Sequence, residues 1–385
     1  MSKKSEESAE EAVETGGIDG DATFLKGFLK ENKDHHFNYE EDQDYRVSTG
    51  SVIFDAHIDG GIRPGLTRLC GIFEGGKTSS ALSILNNMLN SVPKSKGFYI
   101  KAEGRLSSDM KERSGVKFVY TPEDWVEGTC FVFECNIYEV AMEAIESLID
   151  NNKDGYKYCF VLDSVDGLIP EGDKDKSFYD SMKVAGGAVI AGVFSKKVSQ
   201  KLSKRGHIAL FISQVRASPK IDPYSKEPDK QIVSTGGNAL LHFADYIFEF
   251  QSRYQKDLIL KNPSDKKMDT KKNPPIGHWA KVVIKKSPNE ITNQMIMYPI
   301  RYGRTGGRSI WVEKELVDLL LGWGYVKSKG AWVTVSEELL EATAAAGVEM
   351  NVRYNGSTKF FEGIESNPEL VKFLIKFVHE NILKQ

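Results

Sequence analysis

The chain has 385 residues, 40 % of them apolar and 27 % charged, with a formal net charge of −3. That length suggests two domains with a small appendage, and the balance is that of a folded globular protein, which excludes a wholly disordered or collagen-like chain. No apolar run approaches the ~18 residues needed to cross a bilayer, no secretory leader opens the sequence, and a mildly acidic total argues at face value against nucleic-acid binding.

Residues 1–22 set seven acidic residues against Lys3 and Lys4. With almost no large apolar side chain, this stretch predicts a disordered acidic tail. Phe24, Leu25, Phe28 and Leu29 then follow at helical spacing within a linker segment, 23–45. A helix this short is not stable alone, so it should dock on its own core or on a neighbouring subunit. From residue 46 the pattern becomes α/β, with strands expected at 67–73, 97–102, 129–134, 158–163, 208–214 and 246–251. Helices are expected at 78–90, 105–114, 138–151 and 178–204. Such alternation implies a largely parallel twisted sheet with helices on both faces. Residues 253–275 read as a long exposed loop, followed by a strand pair at 278–287 and 294–303. The core therefore spans 46–314, and residues 315–385 form a small C-terminal α+β domain. Its last helix opens at Asn367-Pro368-Glu369 and carries Leu370, Phe373, Leu374, Phe377, Val378 and Ile382 on one face. Cys70, Cys130, Cys135 and Cys159 all sit among apolar residues and lack zinc or disulfide spacing. They read as buried, reduced thiols, which suits the cytoplasm.

The strongest chemical signal is Gly71 to Thr78, a full match to G-x-x-x-x-G-K-[ST] between a strand-like and a helix-like segment. Gly71, Glu74, Gly75, Gly76 and the helix start at Ser79 would wrap phosphate oxygens with backbone amides. Lys77 would hold the β- and γ-phosphates of a nucleoside triphosphate, and the Thr78 hydroxyl would ligate Mg²⁺. A plain glycine-rich turn is the bland alternative. Asp163 ends the apolar run Tyr158–Leu162, as a carboxylate that holds the Mg²⁺ shell through water should. Glu103 ends the strand after the P-loop unit and can either deprotonate the attacking water or sit as a solvated loop residue. Gln214 ends another apolar strand and leads into 215–235, rich in Arg, Lys, Asp and Pro, then into Gly236, Gly237, Asn238, Ala239 and Leu240. A polar strand end beside the γ-phosphate could signal into that loop, which is otherwise an unstructured insertion.

Together these segments resemble the RecA family of homologous-recombination ATPases, from Val47 to about Leu383. The resemblance rests on STGSVIFDAHIDGG with the P-loop, LDSVDGLIP, FISQVR followed by STGGNAL, and ELVDLL with GAWVTV and SNPELVKFLIK. Bacteriophage strand-exchange proteins are the members it is most similar to. It implies a RecA-like P-loop core that binds ATP and Mg²⁺, with Glu103 as catalytic base and Gln214 as γ-phosphate sensor. Residues 170–184 and 215–237 would be the two DNA loops. Lys196, Arg216, Lys220, Lys226, Lys230, Gly236, Gly237 and Asn238 would contact DNA. Lys285 and Lys286 resemble lysines that reach a neighbour's ATP within a filament, and the helix near 24–31 resembles a subunit-docking segment. Single- and double-stranded DNA, further copies of the chain, and single-strand-binding or mediator proteins are the implied partners; no membrane is. A phage-encoded chain would work in the bacterial host cytoplasm. The chain departs from the family at Met110, where an adenine-stacking Tyr is usual, and at Leu241-His242, where a Lys is usual. Its second loop has Tyr224 as sole aromatic, and the acidic tail sits at the N-terminus. A hexameric helicase-type motor and a non-exchanging recombination mediator are the rival functions. A filament threads DNA along one axis, so only loops and a few lysines need be positive, and the whole-chain charge does not decide among them.

Overall fold

The computed structural model describes residues 20–33, 36–40, 43–104, 106–175, 186–217, 231–233, 239–262 and 267–383. It divides into two units, Met1–Asp42 and Gln43–Gln385. The first contains helix α1, Gly20–Glu31, which begins inside the segment expected as tail; residues 1–19 lie outside the described residues. Phe24 and Phe28, one turn apart, stack at 6.2 Å between centroids and are exposed together with Leu25.

The second unit begins with a short helix α2, Val52–His57, whose N-cap Ser51 accepts from the Phe54 amide. Strand β1 is Gly65–Gly71 and helix α3 is Lys77–Ser91. Next come β2 (Ser95–Lys101), α4 (Ser108–Ser114), β3 (Phe118–Val119), β4 (Cys130–Glu134), α5 (Tyr138–Asp150) and β5 (Lys157–Asp163). The unit continues with α6 (Gly186–Arg205), β6 (Ile208–Ala217), β7 (Gln231–Val233), α7 (Ala239–Phe243) and β8 (Tyr246–Phe250). Strands β9 (Leu258–Leu260), β10 (Pro275–Lys286) and β11 (Met295–Arg301) close the sheet. Its order is β11-β10-β8-β1-β6-β5-β2-β4-β3, with β7 on β6 and β9 on β10. The strands from β8 to β3 along this order pair in parallel, and β10 and β11 run antiparallel at one edge. This is an α/β fold with a mostly parallel central sheet.

Alternation along each strand sends side chains to two cores. From β5, Cys159 and Val161 join Leu82, Leu85 and Met88 of α3 on one face. Tyr158, Phe160 and Leu162 join Tyr138 and Ile145 of α5 and Phe194 and Val198 of α6 on the other. Burial on both faces is why these strands read as continuous apolar runs.

The C-terminal elements are α8 (Val312–Gly322), β12 (Val326–Lys329), β13 (Trp332–Val335), α9 (Glu337–Ala345), β14 (Arg353–Asn355), α10 (Ser357–Glu365) and α11 (Pro368–Val378). They build a three-stranded antiparallel sheet, β12-β13-β14, around a third core that includes Leu316, Val333, Phe360 and Leu374. Asn367 caps α11 by accepting from the Leu370 amide, with Pro368 in the first turn.

Some expectations need correction. Residues 253–275 are not simply an exposed loop: β9 pairs with β10, and buried Asp257 lies 2.6 Å from Lys281 Nζ. A three-residue edge strand is too short to leave a periodic signal. The helix expected over 105–114 starts at Ser108, because Ser107 caps it by accepting from the Met110 amide. The helix expected from 178 is observed from Gly186, and residues 176–185 lie outside the described residues. Cys70, Cys130 and Cys159 are buried free thiols, whereas Cys135 is only half-buried. Among the described residues no helix is long and apolar enough to cross a membrane.

Candidate functional site

Parallel pairing brings the carboxyl ends of β1, β2, β5 and β6 to one edge of the sheet. Gly71 is registered with Gln214 on β6 and with Phe250 on β8, and Lys101 with Asp163. Gly71 adopts φ 139°, and a Cβ there would lie 2.3 Å from the Phe250 carbonyl oxygen, so glycine is required. The loop then turns through Glu74 at φ 56° and Gly76 at φ 99°, the N-cap of α3. No side chain caps α3, so its first amides are available to an anion. Glu74, Gly76 and Ser79 are exposed and Gly75 half-buried.

Lys77 is buried and folds onto its own loop, donating to the carbonyls of Gly71 at 2.9 Å and Ile72 at 2.5 Å. Burial lowers its proton affinity, and the Asp163 carboxylate opposes this. Thr78 Oγ1 donates to Asp163 Oδ2 at 2.9 Å, and the Tyr99 hydroxyl donates to the same oxygen at 2.7 Å. Burial raises the Asp163 carboxyl, and these two hydrogen bonds pull it back. Beside it, Ser164 Oγ donates to Glu103 Oε1 at 2.5 Å. Gln214 is exposed, and its amide donates to Asp166 Oδ2 at 2.6 Å.

A hydroxyl and a carboxylate facing across the loop are hard oxygen donors suited to Mg²⁺ shared with phosphate. Among the described residues no cluster of three or more His, Cys, Asp or Glu could hold a metal by itself.

The remaining expected residues are more dispersed. Lys285 Nζ lies 3.3 Å from Glu249 Oε2, and Glu249 also accepts from the Gln251 side chain at 2.8 Å. Lys286 donates to the carbonyls of Leu241 at 3.3 Å and His242 at 2.8 Å, at the C-terminal end of α7. Lys196 is exposed on α6. Arg216 lies in β6. Lys220, Tyr224, Lys226, Lys230, Gly236, Gly237 and Asn238 fall outside the described residues, as does 176–184 of the expected first DNA loop. Within the expected second loop, β7 pairs antiparallel with β6, from Val215↔Val233 to Ala217↔Gln231.

Residues 26–281 match the family model of the RecA N-terminal domain. The chain belongs to the RecA family. It is 26 % identical over 340 residues to protein RecA of Paenarthrobacter aurescens, covering 87 % of this chain and 83 % of that one. Protein RecA of Kineococcus radiotolerans is 26 % identical over 298 residues, 76 % of this chain and 74 % of its own. Among solved structures, the RadB recombinase is 17 % identical with a TM-score of 0.43, covering 69 % of this chain and 98 % of that one.

On this RecA-family framework, sequence reasoning missed the contacts made by Tyr99 and Ser164. Tyr99 had a faint signal: a tyrosine in a buried strand needs a partner for its hydroxyl. Ser164 had none, because only the fold brings it to Glu103, 61 positions earlier in the chain.

Proposed function

We propose that this protein is a DNA-dependent ATPase that polymerises on single-stranded DNA and catalyses homologous pairing and strand exchange. The observation that carries this is the convergence of Lys77, Thr78, Asp163, Glu103 and Gln214 on one sheet edge, in a chain of the RecA family.

In this reading the amides of Gly75 to Ser79 take the phosphates of ATP. Lys77 exchanges two neutral carbonyls for anionic β- and γ-oxygens, a stronger partner in a desolvated site. Thr78 and, through water, Asp163 would hold Mg²⁺, which when bound would supply positive charge beside the phosphates. Glu103, oriented by Ser164, accepts the proton of the attacking water. Gln214 senses the γ-phosphate and passes its state into 215–237. With 170–184, that loop grips DNA through Arg216, Lys220, Lys226, Lys230, Gly236, Gly237 and Asn238, and Lys196 assists from α6. Binding would be sequence-independent, each phosphate contact adding about −0.7 to the salt slope on single strands. Lys285 and Lys286 would leave Glu249 and the α7 carbonyls to reach a neighbour's ATP, making turnover depend on polymerisation. The exposed apolar face of α1 would dock on the adjacent subunit.

The test is ATP hydrolysis and homologous pairing by the purified protein, with and without single-stranded DNA. Stimulated hydrolysis with pairing and helical filaments is expected. Closed rings without pairing would favour a helicase-type motor. Nucleotide binding without pairing would favour a mediator.

A further inference from the structure

The tight turn that follows β5 makes a series of contacts with the nucleotide edge. Asp163 takes the hydroxyls of Thr78 and Tyr99. Ser164 holds Glu103. Residues Val165–Gly167 form a single 3₁₀ turn, closed by the Gly167 amide on the Ser164 carbonyl at 3.1 Å. That turn presses against the base: a Cβ on Gly167 would sit 2.8 Å from Glu103 Cβ. The member that contacts neither Thr78 nor Glu103 is Asp166, whose Oδ2 accepts from the Gln214 backbone N–H at 2.6 Å.

Strand β6 is held at the same point from its other neighbour. Arg68 on β1, three positions before the P-loop glycine, is only 1 % exposed, and its Nε donates to Ser213 Oγ at 3.0 Å. Burying a guanidinium is costly unless it is compensated by hydrogen bonds and opposite charge. Burial lowers Arg68's proton affinity, and Cys70 and Asp166 act against that. Two consecutive residues of β6, Ser213 and Gln214, are thus fixed by a cation from β1 and an anion from the turn after β5. From that turn the chain runs into 170–184, and from Gln214 into 215–237. The Asp166–Gln214 bond therefore staples the roots of both segments to each other.

We propose that Asp166, supported by Arg68, is a positioning residue that sets Gln214 in register with the nucleotide edge and makes the two DNA loops respond to ATP as one unit. The proposal rests on reading Gln214 as the γ-phosphate sensor. Without the staple, nucleotide would still enter the P-loop, but its state would no longer reach both loop roots together.

Three variants test it: Asp166→Ala, Asp166→Asn and Gln214→Ala. For Asp166→Ala, DNA-stimulated kcat should fall about ten-fold while KM for ATP shifts less than about three-fold, the split expected when the activated state is destabilised and ground-state nucleotide binding is kept. The ratio of single-stranded DNA affinity with a non-hydrolysable ATP analogue to that with ADP should collapse toward one. Asp166→Asn, whose carbonyl can accept the same amide proton, should recover most of both. Purely structural damage would instead lower Tm without restoring the ratio in Asp166→Asn, and would overturn the proposal. A normal Asp166→Ala beside a defective Gln214→Ala would overturn the staple alone. Normal behaviour in both would overturn the sensor reading as well. If Asp166→Ala does not fold, Ser213→Ala removes the Arg68 anchor instead. A reduced nucleotide ratio is then expected, and a wild-type ratio would remove Arg68 from the argument.

Discussion

Two places in this molecule gather carboxylates with hydroxyl and amide donors, and they are built for opposite ends. At the nucleotide edge, Asp163 and Glu103 meet Thr78, Tyr99 and Ser164, and Lys77 is folded onto the carbonyls of its own loop. At the junction of α2 with α8, Glu315 accepts from Ser51 Oγ at 2.6 Å and from the Val52 amide at 2.8 Å. Asp55 nearby accepts from the Thr49 amide at 2.8 Å, the Thr49 hydroxyl at 2.6 Å and the Ser48 hydroxyl at 2.5 Å. The junction donors all lie in or just before α2 and already meet carboxylates, so nothing is gained by exchanging them. At the nucleotide edge, Lys77 and Thr78 hold partners that an anion or a cation would better replace. What separates a binding site from a structural joint here is whether its hydrogen bonds would improve on exchange.

That contrast is broken first at Lys77. On the proposed function, Lys77→Ala should lower ATP turnover at least ~10²-fold, since it would remove the cation assigned to the transferred phosphate. A folded variant with undiminished turnover would reject the P-loop assignment. Glu103→Gln should reduce hydrolysis by about 10²-fold or more while nucleotide binding persists, measured by turnover alongside equilibrium binding.

The junction should answer to pH instead. Burial pushes the Glu315 carboxyl up to about 7, with Ser51 and the Val52 amide opposing, and Asp55 up to about 6, with Ser48 and Thr49 opposing. Both groups bind protons more tightly folded than unfolded. Their contribution is thus fully present below the ordinary carboxylate range and is lost as pH rises through 6 and 7. Melting curves should show a loss on the order of 2–3 kcal/mol between pH 5 and 8 from Glu315. Glu315→Gln should flatten that slope without changing ATP turnover, and an equally steep slope in the variant would exclude Glu315 as its source. The smallest effect is expected at the far end of the chain. Asn367→Ala, which removes the α11 cap, should cost about 1 kcal/mol of stability by denaturant titration and leave hydrolysis intact.

The P-loop, Asp163, Glu103 and Gln214 were legible because each follows or closes an apolar run, although β6 continues past Gln214 to Ala217, three residues beyond the expected strand. The strands from 97 to 250 were legible for the same reason, as both their faces are buried. The short elements were not. β3, with two residues, and β9, with three, carry no periodicity, and their pairing with β4 and β10 depends on neighbours distant in sequence. Nor did the sequence show that Lys285 and Lys286 rest on Glu249 and on the end of α7. The pair KK in VVIKK says that two cations end a strand, not what faces them.

By itself, then, the sequence determined the alternating α/β pattern, the phosphate loop and the carboxylates at the strand ends, because local spacing and burial leave a residue-by-residue imprint. Only the tertiary structure decided that Tyr99 and Thr78 share one oxygen of Asp163, that Ser164 reaches Glu103, and that Asp166 holds the amide of Gln214. Those contacts join residues 48 to 85 positions apart. Such pairs meet only because β1, β2, β5 and β6 are laid side by side in parallel, an arrangement set by the packing of the whole sheet rather than by any one segment of it.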